Sequence, residues 1–329
     1  MLDEAGWVAD PLVLVDLDDP RVTLPEADGR LFVGVATRPL TPRARLAVEA
    51  LDLTLAARDE AFYERELPRE CVPATVVEEE AGAVAEMVAR SPQAALVLGQ
   101  VLRATERLPV AAALDVESFA YSMLLAGREF GHWLAGNEAR EAPPLVEEPV
   151  LVGRDGDVLH VTLNRAERRN AYGRQLRDAL TDALEVAVAD PSIERVVLDG
   201  TGPCFCSGGD LAEFGTAPDL VTAHFVRTMA GTARMIHALR ERTEVVVHGP
   251  CVGAGVELPA FAGRVTAAED TTFTLPEVAM GLIPGAGGTV SIPRRVGRWR
   301  ALYLALTGRS LDARTALSWG LIDGIAEAG

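Results

Sequence analysis

The amino-acid sequence predicts an α/β protein: repeated ββα units preceded by a helix-rich α/β segment. Three observations carry that prediction. From residue 151 onward, apolar runs of strand length alternate with helical patterns, a hairpin first and then strand, loop and helix in turn. Two strand-to-helix junctions are rich in glycine, GTGPCFCSGGD after RVVLD and HGPCVGAGVE after VVV. An acidic, proline-rich stretch, NEAREAPPLVEEP at 137–149, reads as a linker that divides the chain into residues 1–136 and 150–329.

The length of 329 residues fits about two domains, and an apolar fraction of 49% is ample for a core. A net charge of −17 argues against nucleic acid or an anionic membrane as the main partner, while leaving room for a local basic pocket. The N-terminus, MLDEAGWVADPLVLVD, is acidic and lacks a basic leader region, and no apolar run is long enough to span a bilayer. The expected location is the cytoplasm. Cys71, Cys204, Cys206 and Cys251 fit buried free thiols of a reducing compartment. The one-residue spacing of Cys204 and Cys206, with no His or second Cys pair nearby, is poor for zinc, so no metal is expected.

In the first segment, residues 12–17 and 31–37 read as strands. Pro42 opens a helical pattern through 67, with Leu46, Ala50, Leu53 and Ala57 at the apolar positions. Helical patterns follow at 76–89 and 93–107, then a short strand at 109–114 and a helix at 116–134. No compact set of chemical groups stands out here, and His132, beside Trp133, has no identifiable partner. RATERLPVAAALDVESFAYSMLLAG shares an outline with ALRERTEVVVHGPCVGAGVELPAFAG: charged helix end, apolar strand, break, apolar helix. The first stretch has Ser and Phe where the second has Gly and Ala, and no Glu at the matching place. The pair fits a degenerate internal repeat or a coincidence of two ordinary strand–helix units.

The second segment begins with a hairpin around Asp155 and Gly156, followed by the arginine-rich loop NRAERRNAYG. Residues 175–189 form an amphipathic helix with Leu176, Leu180, Leu184 and Val188 on one face. A strand at 194–199 leads through the first glycine loop to a helix starting near Asp210, and residues 221–239 form a longer helix. The strand at 245–247 breaks at Gly249 and Pro250 and reopens through Gly253, Ala254 and Gly255 into a buried helix at 256–262, with Glu257 in its first turn. Small residues at a helix start let a ligand approach the backbone, and the free amides there can bind developing negative charge. Short strands at 264–268 and 272–275 precede the second glycine loop, MGLIPGAGGT; residues 290–308 are mostly helical. Asp312 caps a last helix that Gly320 ends. Neither GxGxxG after the first strand nor GxxxxGK[ST] occurs, which weakens dinucleotide and nucleoside-triphosphate readings.

Four stretches together resemble the crotonase (enoyl-CoA hydratase/isomerase) superfamily, over residues 148–329. CFCSGGDL is similar to its first oxyanion loop and HGPCVGAGVEL to its second. LPEVAMGLIPGAGGT resembles the segment with the second catalytic glutamate, and NRAERRNA the loop that helps hold coenzyme A. The resemblance implies a crotonase-like spiral and an acyl-CoA thioester substrate, with no cofactor beyond its coenzyme A moiety. It places an oxyanion hole at the amides of Gly209 and Ala254, both expected at helix starts. It makes Glu257 and Glu277 the catalytic pair, Glu277 donating the proton to the substrate α-carbon and Glu257 orienting the water that adds at the β-carbon. Two carboxylates facing one water can act as base and acid in turn, and proximity raises one pKa. Arg168, Arg169, Ala171, Ser207, Gly209, Asp210, Leu211, Gly253 and Pro276 are the matching substrate-binding positions. Asp210 also stands where a helix N-cap is wanted, and exposed loop arginines are ordinarily solvated.

The sequence departs from the family pattern in places. Ala212 stands where a basic residue often follows the first oxyanion loop, so part of the phosphate binding would come from elsewhere. His248 stands where Asn is often found, and reads as structural. After GLIDGIAEAG the family usually continues with helices that cover the site and build the trimer; with these missing, the first segment or a partner would supply the cover. The expected assembly is a homo-oligomer, trimer or hexamer, or a complex with another crotonase-like chain. Hydration or dehydration of an acyl-CoA is the leading expectation. Isomerisation is the second, though isomerases often keep only one of the two glutamates. The cofactor-independent dioxygenase branch also has an N-terminal helical segment, but it lacks a glutamate at the Glu257 position. A non-catalytic subunit is the expectation of a different class.

Overall fold

The computed structural model describes residues 2–4, 7–23, 26, 28–58, 67–138 and 141–326. Its leading segment is built on a four-stranded parallel sheet whose strands follow chain order: Leu12–Asp16, Leu31–Ala36, Leu53–Ala57 and Cys71–Ala74. The central strands are apolar on both faces, as a parallel sheet covered on two sides requires. Leu31 and Val33 point into the main core, whereas Phe32 and Ala36 point into a smaller cluster with Ala44, Ala47 and Val48 from the helix Pro42–Val48. The helices Val77–Arg90, Pro92–Thr105, Val110–Leu125 and Arg128–Ala135 complete the segment.

The body of the chain carries a six-stranded sheet. The hairpin Val150–Asp155 and Val158–Leu163 lies at one edge, and Arg195–Gly200, Thr243–Val247, Arg264–Ala267 and Gly324–Ile325 follow in parallel. A small second sheet joins Pro250–Val252, Thr272–Thr274 and Leu311–Asp312. The chain therefore leaves the large sheet at Val247 and enters the small one at Pro250. Gly249, at φ +59°, makes that step; a Cβ there would lie 2.2 Å from the Pro203 carbonyl oxygen.

One hydrophobic core runs through both segments, from Leu31 to Ile322. Buried polar pairs lock them together. The Arg298 guanidinium donates to the Leu51 and Glu49 carbonyls, the Trp299 indole to the Leu51 carbonyl at 2.9 Å, and the Tyr303 hydroxyl to Glu80 at 2.8 Å. Residues 137–149 run between the segments, and no element is assigned to them among the described residues.

Several local expectations are corrected. The helical pattern from Pro42 ends at Val48, and Leu53–Ala57 is a strand; residues 59–66 of that expected helix lie outside the described residues. No Gly or Pro marks the break, and Leu53, Thr54, Leu55 and Ala56 are all buried, so tertiary packing rather than local propensity decides the state. The strand expected at 109–114 is the start of the helix Val110–Leu125, opened by Pro109, with Ala111, Ala112 and Ala113 as strong helix formers. The two compared stretches thus share a final helix but not the strand before it. The helix expected at 116–134 bends by 60° between Val110–Leu125 and Arg128–Ala135, at Ala126 and Gly127.

In the body, Arg174–Ala189 buries Leu176, Leu180, Leu184 and Ala187, while Val188 is 55% exposed. Steps of four residues drift 40° per step against a 3.6-residue turn, so the stripe passes from Leu184 to Ala187. Residues 211–219 after the first glycine loop form turns, not a helix. The helix expected at 221–239 is two, Leu220–Met229 and Ala233–Ala238. The one expected at 256–262 is a four-residue helix, Ala254–Glu257, and then the 3-10 turn Pro259–Phe261, because Pro259 has no N–H to continue it.

Candidate active site

The glycine-rich stretches GTGPCFCSGGD and HGPCVGAGVE meet beside a cavity of about 450 Å³. Gly208, at φ +96°, and Gly253, at φ +48°, face each other; a Cβ on Gly253 would stand 3.7 Å from the Gly208 Cα and 2.5 Å from Glu277 Oε1. Only glycine fits both the backbone angle and the space there. The first loop is pinned from behind: the Tyr172 amide donates to the Gly208 carbonyl at 2.7 Å and the Ser207 amide to the Arg169 carbonyl at 3.0 Å. Gly209 and Ala254 line the cavity, and neither amide has a hydrogen bond among the described residues. Ala254 opens a short helix as expected. Gly209 does not; its amide is left free by the turn, without a helix dipole behind it.

Glu257 and Glu277 both line the cavity and are buried. Glu257 Oε2 accepts from the Ala286 amide at 2.7 Å and the Gly288 amide at 2.8 Å. Burial pushes this carboxyl up to about 7, and the two amides hold it back. Glu277 opens the turn Glu277–Met280; its Oε2 is buried and has no hydrogen-bond partner among the described residues. Burial first, then the charge of Glu257, pushes Glu277 well above the carboxylate range.

A third buried carboxyl, Glu117, shares the cavity. It sits on Val110–Leu125, the helix expected to carry no chemistry. Leu114, Glu117, Ser118, Tyr121 and Leu125, at helical spacing, form the stripe that faces the cavity. Burial and the Glu257 charge push Glu117 up to about 8, against the pull of its hydrogen bonds to 287 and 289. A glutamate at helical spacing with Leu114, Tyr121 and Leu125 is the signal that could have revealed it. Arg227 holds this helix in place. Its guanidinium lies over the Tyr121 ring at 4.7 Å and donates to the Ser118 hydroxyl at 3.1 Å.

The remaining predicted residues divide. Asp210 lines the cavity, but instead of capping a helix it accepts from the Ala212 amide at 3.0 Å and pairs with Arg168 at 2.7 Å. Arg168, Arg169, Ala171, Ser207, Leu211, Gly253 and Pro276 lie in the surrounding loops and not in the cavity wall. Arg174, exposed and lining the cavity, has no side-chain partner among the described residues, so a cation is present near where Ala212 supplies none. His248 bonds the Gly202 carbonyl at 3.0 Å, in keeping with a structural part.

Residues 153–328 match the family model described as enoyl-CoA hydratase/isomerase. A probable enoyl-CoA hydratase of Mycobacterium bovis is 34% identical over 183 residues, covering 55% of this chain and 70% of that protein. The 1,2-epoxyphenylacetyl-CoA isomerase of Escherichia coli is 36% identical over 180 residues, covering 53% and 68%. A solved enoyl-CoA hydratase of Mycobacterium smegmatis superposes with a TM-score of 0.51 at 31% identity, over 55% of this chain and 70% of that one. Hydratase and isomerase names thus occur at similar identity.

Proposed function

The chain belongs to the enoyl-CoA hydratase/isomerase family, and from that premise we propose that it adds water to a 2-enoyl-CoA thioester or removes it from the 3-hydroxyacyl-CoA. One observation carries the choice: among the described residues, Glu277 Oε2 is buried and unpartnered in the same cavity as Glu257 and the two unbonded amides. An unsatisfied buried oxygen is costly unless a substrate or water completes it.

In this reading the Gly209 and Ala254 amides bind the thioester oxygen as it takes up charge in the enolate. Removing one such donor typically raises a barrier by about 3 kcal/mol. Glu257, held by two amides, orients the water at the β-carbon and takes the proton that the water loses, which returns to Glu277 when the product leaves. Glu277, whose environment favours the protonated form, delivers the proton to the α-carbon. The step needs no cofactor beyond the coenzyme A moiety. Of the arginines lining the cavity, Arg174 has no side-chain partner among the described residues and is available to the coenzyme A phosphates.

Replacing Glu277 with Gln is expected to lower kcat about 10²- to 10⁴-fold while butanoyl-CoA binds as before. Unchanged turnover would sink the assignment. Water labelled with oxygen-18 separates the reactions: label in the product supports hydration, and a shifted double bond without label supports isomerisation. Protein that binds no acyl-CoA at all would favour the non-catalytic reading.

A further inference from the structure

The segment outside the family match supplies Glu117, a group the chemistry above does not use. Its Oε1 accepts from the Gly287 amide at 2.8 Å. Its Oε2 accepts from the Thr289 amide at 2.9 Å and the Thr289 hydroxyl at 2.7 Å. Glu257 takes the amides of Ala286 and Gly288. Four successive amides, 286 to 289, therefore alternate between two carboxyls, one from each segment. They lead into the helix Gly288–Val296, whose first amides need outside acceptors. The turn has little slack. A Cβ on Gly285 would lie 2.3 Å from the Tyr121 ring, one on Gly287 2.4 Å from the Phe261 ring, and one on Gly288 2.6 Å from Glu257 Cγ.

We propose that Glu117 is a positioning residue of this active site: it clamps the turn at 287–289 from the far side, so that Glu257 stays aimed, and it adds a third carboxyl to the proton balance of the catalytic pair. The proposal rests on the hydratase reading. The charged and titratable groups facing Glu117 are Glu257 and Glu277 across the turn, Tyr121 on its own helix and Arg227 from Leu220–Met229. Burial raises the Tyr121 phenol, which stays neutral. The three carboxyls titrate as a set, and ionising one raises the others.

The test uses Glu117→Gln and Glu117→Asp in the full chain, with 2-butenoyl-CoA as substrate. Gln turns an NH₂ toward donors that need an acceptor and removes the charge. The expected result for Gln is a kcat lower by about 10- to 100-fold with KM little changed. The pH limb of kcat/KM should move to lower pH by about one unit, and the amides at 287 and 289 should exchange faster with deuterium. Asp should restore part of each. Wild-type kcat and an unmoved pH limb would overturn the proposal, even if amide exchange quickens, because a merely structural clamp would do only that. Should the Gln variant not fold, Thr289→Val removes the hydroxyl donor alone and should give a smaller loss in the same direction; wild-type kinetics there would also overturn it. If the wild-type chain does not hydrate 2-butenoyl-CoA, the hydratase reading fails instead. Amide exchange and the titration of carbon-13-labelled glutamate carboxyls, neither of which needs turnover, then decide the clamp: a Gln variant that moves neither overturns it.

Discussion

The body of the chain and the segment before it build one cavity by different means. The body works through its backbone: the chain turns sharply at Gly208 and Gly253, and the turns leave two amides unbonded among the described residues and set Glu257 and Glu277 beside them. The leading segment works through helix side chains, chiefly the stripe Leu114, Glu117, Tyr121 and Leu125, with Phe130 and Leu134 from the next helix. A backbone-built site depends on positive φ and close approach, which few residues tolerate. A stripe depends on size and polarity, which many residues can supply. Damage to the first should abolish function, and changes to the second should retune it.

Gly253→Ala is the sharpest way to break that contrast. The new methyl would meet Glu277 Oε1 at 2.5 Å, from a backbone at φ +48° that Ala disfavours. A displaced Glu277 should lower kcat by about 100-fold, and the backbone strain should lower stability by about 1–3 kcal/mol. Steady-state kinetics and denaturant unfolding measure the two. A variant with near-wild-type kcat would show that the glycine loop is not the constraint claimed for it.

The same contrast explains what could be read from the sequence. Gly209, Ala254, Glu257 and Glu277 could be placed because their motifs resemble those of the family, and all four line one cavity. Glu117 left only a weak trace. Its helix carries two carboxyls, Asp115 and Glu117, and which of them turns inward is decided by partners 170 and 172 positions away. The strand Leu53–Ala57 was hidden for a related reason: its pairing with Leu31–Ala36 and Cys71–Ala74 is long-range, and its spacing also fits a helix. The hairpin, the Asp312 cap and the Gly320 stop were legible because each is a local device.

A second prediction concerns the protons shared across the two regions. The folded-state pKa values of Glu117, Glu257 and Glu277 are all raised above the usual 4.5. A carboxyl with a raised folded pKa contributes stability that is fully present below its unfolded value and is lost as pH rises through its folded one. Unfolding free energy should therefore fall between about pH 4.5 and 8 by up to about 1.4 kcal/mol per pH unit for each group still titrating. Glu117→Gln should flatten that slope, whatever it does to stability at a single pH. Chemical denaturation at a series of pH values reads the slope directly. An equal slope in both proteins would mean that the leading segment is not part of the proton balance.

The smallest effect should come from the apolar part of the stripe. Leu125 lines the cavity and is half-buried, and it makes none of the hydrogen bonds that fix the 286–289 turn. Truncating it to Ala enlarges the wall without touching the free amides or the three carboxyls. A change of a methylene or two in an apolar pocket shifts preference by about tenfold. The ratio of kcat/KM for a long to a short 2-enoyl-CoA should accordingly rise by about that factor in Leu125→Ala, with kcat for the short thioester nearly unchanged. Equal losses for both chain lengths would instead mean that this helix supports the backbone-built half, and that the two regions are less separable than their construction implies.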